Sequence, residues 1–122
     1  MTPFGQKVRE LRAERVISLK TMAADLEISA AYLSALEHGH RGLPSAALVI
    51  QICEYFGLIW DDFEAMQRLI NISHPKVTVE SGGLTPIHTQ LANELAQRIG
   101  TLSVVQASDL LDRLTVEEGK QA

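Results

Sequence analysis

The sequence predicts an all-α protein, with five short helices over residues 1–73 and an amphipathic extension over residues 74–122. Three observations predict it. Apolar residues recur at three- or four-residue intervals from Phe4 to Ile70, the period of a helix with one buried face. A serine or threonine precedes most of these runs, where its hydroxyl can accept from the free amides of a helix start. A glycine follows several of them, as expected where a chain leaves a helix left-handed.

The elements follow in order. Thr2 and Pro3 open the first helix as cap and first residue, and Phe4, Val8 and Leu11 give its apolar stripe. Ser18 opens the second, which buries Met22, Ala23 and Leu26. Ser29 opens the third, which carries Leu33 and Leu36 and stops at Gly39. His38–Pro44 is a loop by its glycines and proline. Ser45 caps a fourth helix with Leu48, Ile52 and Phe56 in line, closed by Gly57. The fifth starts near Asp61 and runs through Phe63, Met66, Leu69 and Ile70 to about Ser73, its early acids suited to the positive end of a helix. His74-Pro75 breaks the pattern. Lys76–Glu80 alternates polar and apolar residues and predicts one short strand, with Val77 and Val79 on one side. Thr85-Pro86 opens a further helix striped by Ile87, Leu91, Leu95 and Ile99 and ended by Gly100. A last helix spans about Val104 to Leu114, and fraying is expected from Glu117. The extension is thus read as a short strand plus a helical hairpin.

Composition narrows the class. The chain of 122 residues, 46% hydrophobic, suits one modest core with an appendage. No apolar run approaches the ~18 residues that span a bilayer, and the first residues do not read as a secretion signal. A single cysteine, Cys53, fits a reducing compartment and reads as a small buried hydrophobe. These readings point to a cytoplasmic protein with no membrane partner. The net charge of −4 is uneven. Residues 1–60 are neutral, with Lys7, Arg9, Arg12, Arg15, Lys20 and Arg41 against Glu10, Glu14, Asp25, Glu27, Glu37 and Glu54. The acid excess lies entirely in residues 61–122, so a phosphate-binding face in the first half is not excluded. No catalytic constellation is visible, and neither an enzyme nor a cofactor is predicted. His38 and His40 lack the further ligands of a metal site. The Asp61-Asp62-Phe63-Glu64 run reads as a helix start rather than as a pair of hydrolytic carboxylates.

Residues 18–38 carry the functional signal. Two short helices meet across a very tight turn, and Ala23 is small enough to let them approach. Leu26, Ile28, Leu33 and Leu36 supply core. This is the pattern of a helix-turn-helix, whose second helix can enter the major groove of DNA. The free side of that helix carries Ala30, Ala31, Tyr32, Ser34, Ala35 and His38.

With Leu11-Arg12, Ser18, Ala23, Leu26, Ile28-Ser29, Leu33-Ser34, Leu36-Glu37, Gly39 and Pro44-Ser45 at matching intervals, residues 4–70 resemble the lambda-repressor-like, Cro/C1-type (XRE) helix-turn-helix regulators. The resemblance implies a compact five-helix bundle and sequence-specific operator binding as a homodimer. Three positions depart from the family. Leu19 stands where relatives often have a glutamine, and Val16 and Glu27 stand where they often have glycine at positive φ.

Readout chemistry is lean, because the third helix offers no Arg, Lys, Asn or Gln for bidentate base contacts. Its alanines suit thymine methyl groups, and Ser29, Tyr32, Ser34 and His38 suit single hydrogen bonds. His40 lies in the loop beside DNA. Arg41 is the candidate for a base or minor-groove contact, Arg12, Lys20, Arg41 and Ser45 are the candidates for phosphate, and Ser18 is a further candidate DNA-binding residue. Glu37 is read as structural, with Arg12 as its partner in that reading. The extension is expected to build the dimer interface. Two further readings stay open: an antitoxin that represses its own operon, and an interaction module that keeps the fold without DNA binding. A small-molecule sensor is a third, for which the extension leaves little room.

Overall fold

The computed structural model describes residues 1–121, with side chains through Val116. Every regular element among them is helical, and the chain divides into two compact units, Met1–Val77 and Thr78–Ala122.

Unit 1 holds α1 (Pro3–Glu14), α2 (Leu19–Asp25), α3 (Ala30–His38), α4 (Ala46–Tyr55) and α5 (Asp61–Asn71). Its caps follow the hydroxyl pattern of the sequence. Thr2 Oγ1 accepts from Gly5 N, Ser18 Oγ from Thr21 N, Ser29 Oγ from Tyr32 N and Ser45 Oγ from Leu48 N. Gly39 ends α3 left-handed at φ 80°. The core is a single cluster built from every helix, with Phe4, Val8, Met22, Leu33, Leu36, Ile52 and Met66 almost sealed from solvent. Leu26 and Ile28 pack against its edge, half-buried. Cys53 lies within it, and burial pushes its thiol up from the ordinary value, which keeps the reactive thiolate scarce.

Three polar side chains are enclosed with this core: Ser73, Glu37 and its partner Arg12. Ser73 is 2% exposed; its hydroxyl accepts from Phe4 N and donates to the Leu69 carbonyl, which ties the end of α5 to the start of α1. Glu37 is equally buried and is described with the site below. Arg15 reaches across from α1 to the end of α4, donating to the Phe56 carbonyl at 3.0 Å with its guanidinium 5.2 Å from the Phe56 ring centre.

Val16 and Glu27 sit at φ 54° and 59°, in the left-handed region where glycine is the easy residue. Each turn therefore carries the backbone strain that a Cβ brings at positive φ. Trp60 is a third such residue, at φ 50° and ψ −115°, in the turn that opens α5.

Unit 2 holds α6 (Pro86–Arg98), a 3₁₀ turn (Ile99–Thr101) and α7 (Val104–Gln121). Thr85 takes the cap position of α6, but its hydroxyl pairs with His88 Nδ1 instead of a backbone amide. Ser103 and Gln106 cap α7 reciprocally, Gln106 N donating to Ser103 Oγ and Ser103 N to Gln106 Oε1. The fraying expected from Glu117 falls outside the residues described with their side chains. The strand expected over Lys76–Glu80 does not form. Val77 and Val79 are 70% and 61% exposed, and alternation alone cannot make a strand where no second strand supplies hydrogen bonds.

Candidate nucleic-acid interface

The helix-turn-helix is built from α2 and α3. Leu26 caps α2, Glu27 takes the left-handed turn, Ile28 N donates back to the Ala23 carbonyl, and Ser29 starts α3. Four residues thus reverse the chain.

α3 is fixed from its inner side. Leu33 and Leu36 are each 1% exposed. Next to them, Arg12 Nη2 donates to both carboxylate oxygens of Glu37, at 3.0 and 2.9 Å. The Glu37 carbonyl also accepts from Thr2 N at 3.1 Å. α1 lies so close here that a Cβ on Gly5 would fall 1.9 Å from that carbonyl oxygen. Gly5 therefore sets the distance between α1 and α3. Its sequence signal was a glycine inside a helical turn, a position that costs stability unless another backbone approaches.

The structure withdraws Arg12 from the phosphate candidates. Its guanidinium lies inside the unit, 8% exposed as a residue, and its charge is committed to Glu37. The other candidates fall into two groups. Ala31, Tyr32 and His38 are exposed on α3, while Ala30, Ser34 and Ala35 are half-buried. Ala31, Ser34, Ala35 and His38 recur at helical spacing and make the outward stripe, with Tyr32 to one side. His38 Nδ1 lies 2.9 Å from the Ser34 carbonyl, which only accepts, so Nδ1 carries the proton and Nε2 is left for a partner. His40 is exposed with its ring 5.9 Å from that of His38. Among the described residues no group of three His, Cys, Asp or Glu side chains could hold a metal ion.

Around α3, Ser18, Lys20, Ser29, Arg41 and Ser45 are all exposed. The hydroxyls differ in what they can still do. Ser18 Oγ donates to Thr21 Oγ1 at 2.9 Å, so its proton is used within the domain. Ser29 and Ser45 accept from backbone amides and keep their own protons for an incoming acceptor. The sequence reading missed the amides of Ala46 and Ala47, which begin α4 beside Ser45 and have no partner within the helix. Free amides at a helix start suit a phosphate. Apart from the buried and paired Glu37, the acids nearest this surface in sequence are Asp25, whose carboxylate accepts from Tyr55 Oη at 2.7 Å, and Glu27 in the turn.

A capped helix presented outward across a four-residue turn, with its inner face sealed, defines a helix-turn-helix protein. Residues 5–59 match the family described as a helix-turn-helix domain. The chain is 28% identical over 88 residues to the uncharacterized HTH-type transcriptional regulator RghRB of Bacillus subtilis (strain 168), a match over 72% of this chain and 63% of that protein. It is 35% identical over 65 residues to the HTH-type transcriptional repressor RghR of the same organism, covering 49% of this chain and 48% of that one. A third relative, the HTH-type transcriptional regulator RamB of Mycobacterium tuberculosis, is 44% identical over 57 residues, which are 47% of this chain and 12% of RamB. The chain thus spans less than two thirds of the length of these relatives. No solved structure matches it significantly. No helix among the described residues is long and apolar enough to cross a membrane.

Proposed function

We propose that this protein regulates transcription by binding duplex DNA as a homodimer, with α3 of each copy in the major groove. The observation that carries the reading is α3 itself, clamped from within by Leu33, Leu36 and the Arg12–Glu37 pair while Ala31, Tyr32 and His38 face outward. Relatives named as transcriptional regulators and a repressor support the same reading. Lys20, Arg41, the Ser45 hydroxyl and the free amides at the start of α4 position the duplex through phosphates. Ala31 and Ala35 meet thymine methyl groups, and Tyr32 and His38 make single base contacts. With so few base-reading groups, DNA shape contributes much of the specificity.

Residues 74–122 serve the dimer. Ile87, Leu91 and Leu95 on α6, and Leu110, Leu111 and Leu114 on α7, are 40–67% exposed, and no described residue of unit 2 is buried. A hairpin without a core of its own gains by covering that surface with a second copy. Two-fold pairing then sets the two α3 helices about 34 Å apart, one turn of DNA.

Selection of bound duplexes from a random pool, followed by titration at several salt concentrations, tests the reading. The expected result is binding that weakens steeply with salt. Arg41→Ala should lower the salt slope by about one phosphate contact, and Tyr32→Ala should relax sequence preference by about 1–3 kcal/mol. A specific complex unaltered by the two together refutes the placement of α3. Light scattering on residues 1–73 checks the dimer: loss of the dimer is expected, and its persistence excludes the extension.

A further inference from the structure

One end of unit 1 carries apolar surface that neither the core nor the DNA face uses. Arg15 links the carboxyl end of α1 to the Phe56 carbonyl at the end of α4, so Val16 and the turn from Gly57 to Asp61 lie at the same end. Val16 is 93% exposed, Ile59 65% and Trp60 82%. Two of these three hold positive φ, and Trp60 lies in a region of backbone space nearly reserved for glycine. An exposed aromatic in a strained turn adds nothing to folding that glycine would not supply more cheaply. Exposed apolar clusters of this kind mark places where another molecule sits.

The charge around the cluster selects the occupant. Asp61, Asp62 and Glu64 follow Trp60, and Glu14 and Glu54 stand at the ends of α1 and α4. The neighbouring cation, Arg15, is already engaged with Phe56, Leu11 and Glu14. An acidic rim repels phosphate, and so excludes nucleic acid and anionic membranes. It also disfavours the acidic second half of another copy. We propose that Val16, Ile59 and Trp60 form a docking surface for a cationic, amphipathic helix of a second protein, whose apolar face covers Trp60 and whose lysines or arginines meet Asp61 and Asp62.

Trp60 is the sole tryptophan of the chain, so intrinsic fluorescence reports on this surface alone. The full-length protein is titrated with an amphipathic lysine–leucine peptide, with a glutamate–leucine peptide of identical pattern, with duplex DNA and with anionic vesicles. The expected result is a saturable blue shift with the lysine peptide, at a Kd about tenfold or more below that of the glutamate peptide. Asp61→Asn with Asp62→Asn should remove most of that preference. Trp60→Gly, followed with a dye-labelled lysine peptide, should weaken binding by about tenfold while leaving Tm unchanged or raised, because glycine relieves the turn. Equal response to both peptides, a shift produced only by DNA or vesicles, or a Tm lowered by Trp60→Gly overturns the proposal.

Discussion

Removing the Arg12 guanidinium should be among the most damaging single changes in unit 1. Glu37 is 2% exposed, and Arg12 Nη2 contacts both of its oxygens within 3.0 Å. Arg12→Met leaves a carboxylate enclosed in the core without its counter-charge, at a cost of about 3–5 kcal/mol. A unit of this size has roughly 4–12 kcal/mol in total at about 0.05–0.15 kcal/mol per residue, so the variant is close to unfolding. The pair itself is worth less than this loss suggests, because both charges pay desolvation and Arg12 Nε has no partner among the described residues. Arg12→Met combined with Glu37→Leu should therefore recover to within about 1–2 kcal/mol of the wild type. Urea unfolding followed by far-ultraviolet circular dichroism measures this; Trp60 fluorescence does not, since that ring is already 82% exposed. A loss below about 1 kcal/mol for Arg12→Met, or a double variant as unstable as the sum of the singles, refutes the account of a buried pair holding α3.

Three further outcomes follow from the same geometry. Gly5→Ala drives a Cβ into the Glu37 carbonyl at 1.9 Å, and since both atoms belong to backbone or its first branch, α1 and α3 have to separate; a loss of about 3 kcal/mol or more is expected in thermal unfolding, and a neutral effect refutes the close approach. Val16→Gly and Glu27→Gly relieve φ of 54° and 59° at exposed positions, and each should raise stability by roughly 0.5–1 kcal/mol after the added freedom of the unfolded chain is counted; a destabilised variant would show those side chains to be needed in the fold. The Tyr55 phenol is pushed up to about 12, chiefly because it donates to Asp25, with burial and the Asp25 charge adding to this. The folded state then holds this proton more tightly than the unfolded one, so the contact is fully present below pH 10 and is lost as pH rises from about 10 to 12. Ultraviolet titration should show one late tyrosine, shifted down by Asp25→Asn; no shift on that substitution refutes the contact.

Most helices of unit 1 were legible because their signals are local. Ser18, Ser29 and Ser45 lie next to the amides they cap, and Phe4, Val8 and Leu11 reveal a buried face by spacing alone. The helix-turn-helix pattern was legible for the same reason, since its scaffold residues sit at fixed intervals. Arg12 was not settled by its position in the chain. One basic side chain on α1 suits a phosphate and a buried acid equally well, and only the packing of α3 against α1 brings Glu37 within reach. The strand over Lys76–Glu80 was misread because alternation describes one chain, whereas a strand needs a neighbour.

The sequence by itself determined which segments are helical, where they start, and which side of α3 is free, because hydroxyl caps, glycine stops and apolar periodicity act within a few residues. Only the tertiary structure decided the distance between α1 and α3, set by the missing Cβ of Gly5, and the fate of Arg12. It also decided that Val16 and Glu27 accept left-handed strain rather than reshape their turns. These depend on contacts between residues far apart in the chain, which no local pattern encodes.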